Sequence, residues 1–470
     1  MKIFNTKNYL DILKTLNLEN LDLNKIIQGQ DPILPSPFLI GQAGAAALGI
    51  FGYLTAEIWA MKTRKKIQKI SISVRDAALA QISHTYLKLL DQDTPPLWDP
   101  VSGFYLTQDH RWIQLHCNFP HHRAGVVKFL KAEDNKESVI EKIKHWEAQA
   151  LEDALSKEGL CAAMVRSPEE WEKHPQAQAL KNLPLFEIIK IGESESEFKK
   201  IKTSENRPLS GFKVLDLSRV IAGPVCGKIL AEQGAQVMRV EHPDLPFVLP
   251  LFLDTTHGKF SSFLDLDKKT DQDNLKNLIK ESDVFLQAYR PGSLDKKGFS
   301  PEELIKIRPG LIYVSLSAYG HEGPFKDRHG YDSLVQSATG IAYEQSRGDL
   351  SSKPPKHLPA QSLDYLTGYF ASICILAAIK KRAEEGGSYL IRVSLAQTAE
   401  WFKNLGRISN PEEYLNLTAP KAEAIPELIT QSMTPYGRLQ HMKPVIHFSE
   451  TPSKWGRALP KRGEDPAAWE

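Results

Sequence analysis

Asp364 opens a long apolar run, SLDYLTGYFASICILAAI, and four basic residues, Arg219, Lys269, Arg290 and Lys296, are spread through the chain before it. A carboxylate at a helix start has two uses. It can cap free backbone N–H groups. Being ionised at neutral pH, it can also act as a nucleophile that needs no general base. The helix N-terminus would steady its charge and offer N–H donors to an oxyanion. The four cations suit a ligand carrying several phosphates, although each taken singly is equally a solvated surface side chain. His116, Cys117, His121 and His122 gather imidazole and thiol. They lack the paired spacing on both sides that structural zinc sites show, so no metal is expected there.

The elements that must position these groups are best marked between Phe212 and Pro243. FKVLDLSRVIAGPVCGKILAEQGAQVMRVEHP reads as strand, turn, helix, strand. The first strand carries Val214, Leu215 and Leu217, and Pro224 sits early in the helix, where its missing N–H costs nothing. The second strand, Gln236 to Val240, is closed by Glu241. A parallel β-α-β unit of this kind places a ligand at the carboxyl ends of its strands, near Val220 and Glu241. No G-x-G-x-x-G joins strand to helix, which leaves NAD or FAD weakly supported. The expected class is α/β: an open parallel Rossmann-like sheet with flanking helices, plus a smaller α+β domain.

With 470 residues the chain can hold two or three domains. A net charge of +2 predicts neither nucleic acid nor an acidic partner. The four cysteines lie far apart without a CxxC pair, which suits a reducing cytosol. The first residues carry scattered charges and do not read as a signal peptide. The expected location is cytoplasmic. Phe38 to Ala56 is long and apolar enough to span a membrane; the preferred reading is a buried Ala/Gly-rich helix, with no membrane partner. Gly41–Gln81 and Gln361–Trp401 share one order: apolar helix, basic end, short strand, Ala-rich helix. They read as a diverged duplication, with Ala45, Ala46 and Ala47 in the region matching Asp364, so that the first copy lacks the acid. The expected organisation is a degenerate first copy over 1–100, a small α+β domain over 101–190, a polar linker over 191–210, the acid-bearing Rossmann-like domain over 211–400 and an extended, irregular tail over 401–470.

LDLSRVIAGPVCGKILAEQGAQVMRVE, the run from DVFLQAYRPGSLDKKGF to SAYGHEGP, GYDSLVQSATG and LDYLTGY together resemble the class III CoA-transferase family, in order, over about residues 210–400. The resemblance implies that Asp364 is the nucleophile that receives an acyl group from a thioester. Coenzyme A or acyl-CoA would be substrate and not a tightly bound cofactor, with a carboxylic acid as acceptor. It further implies coenzyme A contacts at Val220, Ile221 and Ala222, at His242, where some relatives have arginine, at Leu266 to Lys269 beside the adenine, at Ala288, Tyr289 and Arg290, and at Lys296. The racemases of the same superfamily would have histidine at Tyr331. Tyr331-Asp332 is the transferase pattern, and an acyl-CoA racemase or isomerase is the alternative enzyme. No glycine-rich loop is found, which leaves a non-catalytic CoA-binding protein as the alternative from another class. Relatives pair as interlocked dimers, so the chain is expected to form a homodimer or an intramolecular pseudo-dimer.

Overall fold

The computed structural model of the chain describes residues 9–199, 207–351 and 353–470. Near the N-terminus, helix α1 (Ile40–Thr63) is followed by strand β1 (Ile70–Ser73) and helix α2 (Val74–Ala80). Strands β2 (Gly103–Leu106), β3 (Trp112–Leu115) and β4 (Ala162–Met164) form a small antiparallel sheet. The large sheet uses β5 (Phe186–Gly192), β6 (Lys213–Leu217), β7 (Gln236–Glu241), β8 (Phe260–Phe263), β9 (Val284–Gln287), β10 (Ile312–Ser317) and β11 (Ser388–Ser394), in the order β8-β7-β6-β9-β10-β11-β5. Its neighbours are parallel, except that β5 runs antiparallel on β11 at one edge. Helix α3 (Ala222–Glu232) joins β6 to β7, α4 (Asp332–Ala338) follows β10, and α5 (Ser362–Glu385) and α6 (Leu395–Asn404) flank β11.

The chain is α/β, and the pattern of residues explains why. Val214, Leu215 and Leu217 in β6 and Val284, Phe285 and Leu286 in β9 are all buried, as strands covered on both faces require. Strand order turns back at β6, which has β7 on one side and β9 on the other. That is a topological switch point, and the crevice lies beyond Leu217 and Gln287.

Helix, strand and serine-capped helix occur twice. Both α1 and α5 span 24 residues, and Ser73 and Ser394 cap the helices that follow their strands. The apolar stretches of both long helices are packed inside the fold, 78% and 100% of their most apolar windows being buried. Gly368 is required for this packing: a Cβ there would come within 2.4 Å of the Ala222 carbonyl oxygen on α3.

The small sheet docks on α4. Gln114 of β3 donates to Ser333 Oγ at 2.8 Å and accepts from Ser337 Oγ at 2.7 Å. Two details differ from the sequence reading. The start of the expected linker, Ile191–Gly192, closes edge strand β5, because Phe186, Ile188 and Ile189 pair with β11; residues 200–206 of that linker lie outside the described residues. The tail is not wholly irregular: Ile429–Thr434 and Gly437–Met442 form a hairpin that pairs with Lys88–Leu89.

Candidate active site

The turn after β6 is held from below. Asp216 is fully buried and accepts from Lys259 Nζ at 2.7 Å and from the Ser218 N–H at 3.0 Å. Lys259 Nζ also donates to the Pro224 carbonyl in the first turn of α3, at 2.7 Å. This clamp fixes both ends of the turn Ser218–Ile221. Within it Val220 has φ +69°, a left-handed backbone that costs a β-branched residue about 1–3 kcal/mol. The strained residue faces the crevice.

Two cavities meet there, and Val220, Tyr331 and Asp364 line both. The larger, about 390 Å³, is walled by Arg219, Ala222, Ala288, Tyr289, Arg290 and Arg328, among others. The smaller, about 50 Å³, is walled by aromatic and aliphatic side chains, among them Trp98 and Phe119, and by His84 and His116. Asp364 lies between them, 7% exposed.

Asp364 is the third residue of α5 and makes no side-chain cap. Asp332, the first residue of α4, performs that role: its Oδ2 accepts the Asp364 N–H at 2.9 Å, and Leu363 N–H also bonds to this carboxylate. Two sequence expectations change accordingly. The α5 donors at Leu363 and Asp364 are taken by Asp332, so they are not offered to an oxyanion. The Asp364 carboxyl is also not an ordinary ionised aspartate. Burial, and then the charge of Asp332, raises it well above the usual carboxylate range. Asp332 itself is pushed up to about 6 by burial, against the bonds from Asp364, Gln336 and Leu363. At the start of α3, by contrast, no side chain caps the first turn, and its N–H groups, which no intrahelical bond uses, border the larger cavity at Ala222 and Gly223.

The structure brings Val220, Ile221, Ala222, Ala288, Tyr289 and Arg290 to the two cavities around Asp364. It places the other expected contacts elsewhere. His242 Nε2 lies 3.3 Å from Asp265, and its carbonyl accepts from Arg462. Leu266 packs under Tyr289's core cluster. Lys269 is exposed and paired with Asp273 at 3.1 Å, and Lys296 is exposed on a short turn. Glu241 is buried between Arg239 at 2.9 Å and Arg462 at 3.3 Å.

Tyr331 stacks on His116 with ring centroids 3.9 Å apart, and its hydroxyl is 3.4 Å from His122 Nε2. Among the described residues a thiol does approach imidazoles: His122, Cys161 and His329 come together at the cavity wall. Cys161 Sγ is 3.7 Å from Nδ1 and 3.6 Å from Nε2 of His122. Sequence reasoning missed His84, Leu97, Trp98 and the capping role of Asp332. The first three come from the other half of the chain, and no local pattern marks them.

Residues 209–406 match the family described as CoA-transferase family III. The chain is 32% identical over 320 residues to the acetyl-coenzyme A transferase nodX of Hypoxylon pulicicidum, covering 64% of this chain and 54% of that protein. It is 28% identical over 403 residues to an acyl-CoA transferase of Gibberella moniliformis, covering 77% and 70%. A crystal structure of a hypothetical protein from Mycobacterium tuberculosis is 33% identical, covers 41% of this chain and 55% of its own, and superposes with a TM-score of 0.39. The chain spans about half the length of most of the curated relatives it matches.

Proposed function

We propose that this protein, whose residues 209–406 match the model of CoA-transferase family III, moves coenzyme A from an acyl-CoA to a carboxylic acid, with Asp364 as the covalent carrier. One observation carries this reading. The Asp364 carboxyl stands where a cation-walled crevice at the switch point meets a small chamber with no lysine or arginine among its lining residues. A phosphate-bearing thioester laid along Arg219 and Arg290 would bring its carbonyl to that carboxyl.

In the proposed sequence Asp364 attacks the thioester carbon, the C–S bond breaks, and coenzyme A leaves as its thiolate. The mixed anhydride on Asp364 is then attacked by that thiolate at the aspartyl carbon, which releases the first acid and leaves an aspartyl-CoA thioester. The acceptor carboxylate repeats the exchange in reverse and departs with coenzyme A. The first-turn N–H groups of α3, not those of α5, are the donors placed for developing negative charge. Asp364 must lose its proton before attack, so the acid limb of the rate profile belongs to the Asp364–Asp332 pair.

Intact-protein mass spectrometry after mixing with acetyl-CoA and a panel of other acyl-CoAs tests the proposal. An adduct on the unaltered protein that is missing in Asp364→Asn is the expected result. The isomerase alternative predicts no adduct and deuterium uptake at the α-carbon in heavy water. A non-catalytic CoA-binding protein predicts tight binding with neither.

A further inference from the structure

We infer that the small chamber beside Asp364 is the acyl subsite and that it admits short, uncharged acyl groups while rejecting dicarboxylic ones. This inference rests on the coenzyme A transfer reading, because it takes the cation-walled crevice as the side that holds coenzyme A. The acyl group must then lie across Asp364 from Arg219 and Arg290.

Among the described residues, no lysine or arginine lines the chamber. Two cations lie beside wall residues without lining the chamber. Arg219 donates to the Pro246 carbonyl and lies over the Phe119 ring, and Lys228 is paired with Asp254 at 3.3 Å. Two histidines are the only basic groups in the wall, and neither offers positive charge. His116 lies flat against Tyr331, and its Nδ1 is buried without a hydrogen-bond partner; burial pushes it down to about 3. His84 Nδ1 is 3.2 Å from the Tyr365 hydroxyl and is lowered by burial. Of the two amides in the wall, Asn118 and Gln361, that of Asn118 is already spent: its oxygen accepts from Asp99 N–H and Ser102 Oγ, and its nitrogen donates to the Leu97 carbonyl. A second carboxylate would therefore meet no cation in the wall, only the neutral polar groups of Asn118, Ser333 and Gln361, with two acids, Asp332 and Asp364, as charged neighbours. An unpaired buried charge is strongly disfavoured.

Size points the same way. A cavity of about 150 Å³ holds benzene, so the chamber's volume of about 50 Å³ corresponds to about two or three heavy atoms. An acetyl group has three heavy atoms, and a propionyl group, with four, fits when its carbonyl carbon stays at Asp364.

The test uses the full chain in two forms. Asp364→Asn protein is titrated calorimetrically with acetyl-, propionyl-, succinyl- and glutaryl-CoA, and the unaltered protein is assayed for transfer from the same donors. Acetyl- and propionyl-CoA are expected to bind at least tenfold tighter than succinyl-CoA and to be at least 100-fold better donors by kcat/KM. Leu97→Arg, which puts a cation in the wall, should shrink both ratios by tenfold or more. Equal binding of acetyl- and succinyl-CoA overturns the inference whatever the rates. If the binding preference is present but no donor is turned over, the subsite stands and the transfer reading falls. If no acyl-CoA binds, both fall.

Discussion

Helices α1 and α5 begin alike and differ at one residue that matters. In each, an aspartate from another segment, half-buried in the first case and buried in the second, accepts the N–H groups of the second and third helical positions. Asp31 takes Gly41 and Gln42 at 3.1 and 2.7 Å, as Asp332 takes Leu363 and Asp364. Burial pushes both capping acids to about 6. The third position is Gln42 in the first helix and Asp364 in the second. The first helix start therefore carries an amide where the second carries an acid, three residues before Ala45, Ala46 and Ala47. The shared part of the architecture is a cap; the unshared part is the reactive group. The second helix start also opens on two cavities beneath a strained turn.

The largest expected effect follows from that exchange. Asp364→Asn, which turns the second start into the first, should cut transfer by on the order of 10³-fold or more while leaving coenzyme A affinity within a few fold; rate assays beside calorimetry decide it. Next is the clamp beneath the strained turn. Lys259→Met leaves buried Asp216 uncompensated and should cost about 3–5 kcal/mol, read by urea denaturation.

Asp332→Asn keeps an acceptor for the Asp364 N–H but removes the like charge beside it. Asp364 should then ionise more easily. The transfer rate, which rises with pH as Asp364 loses its proton, should begin its rise at lower pH than in the parent. An unmoved acid limb would refute the pairing of the two acids.

The same logic gives a stability effect. A buried acid raised in the folded state stabilises when protonated, and this contribution is lost as pH climbs from the ordinary carboxylate range through about 6. Asp31→Asn should flatten the fall in melting temperature between pH 5 and 7 without touching transfer. The smallest effect belongs to Gln42→Ala, expected to leave rates unchanged and to move stability by no more than about 0.5 kcal/mol.

Much of this was legible in the residues, and the boundary has a physical cause. The β6-α3-β7 unit showed through because Val214, Leu215, Leu217, Pro224 and Gly234 act locally, within one turn or one strand. Asp364 was singled out because a recurring motif surrounds it. Local pattern could not show that Asp332, 32 positions earlier, takes the capping role and raises the neighbouring acid. It could not show either that His84 and Trp98 come back to wall the chamber. Those contacts are made by the fold. The expected contacts at Lys269 and Lys296 were carried by motif alone, and the structure shows both as exposed side chains away from the two cavities around Asp364.

The chamber wall has a kinetic corollary. His84, Leu97 and Trp98 reach Asp364 from the far end of one continuous polypeptide, so completing this wall is a first-order event. Dilution, which would dismantle a pocket assembled from separate molecules, leaves this one's encounter frequency untouched. Specific activity measured down to nanomolar protein should hold level as far as this wall governs it.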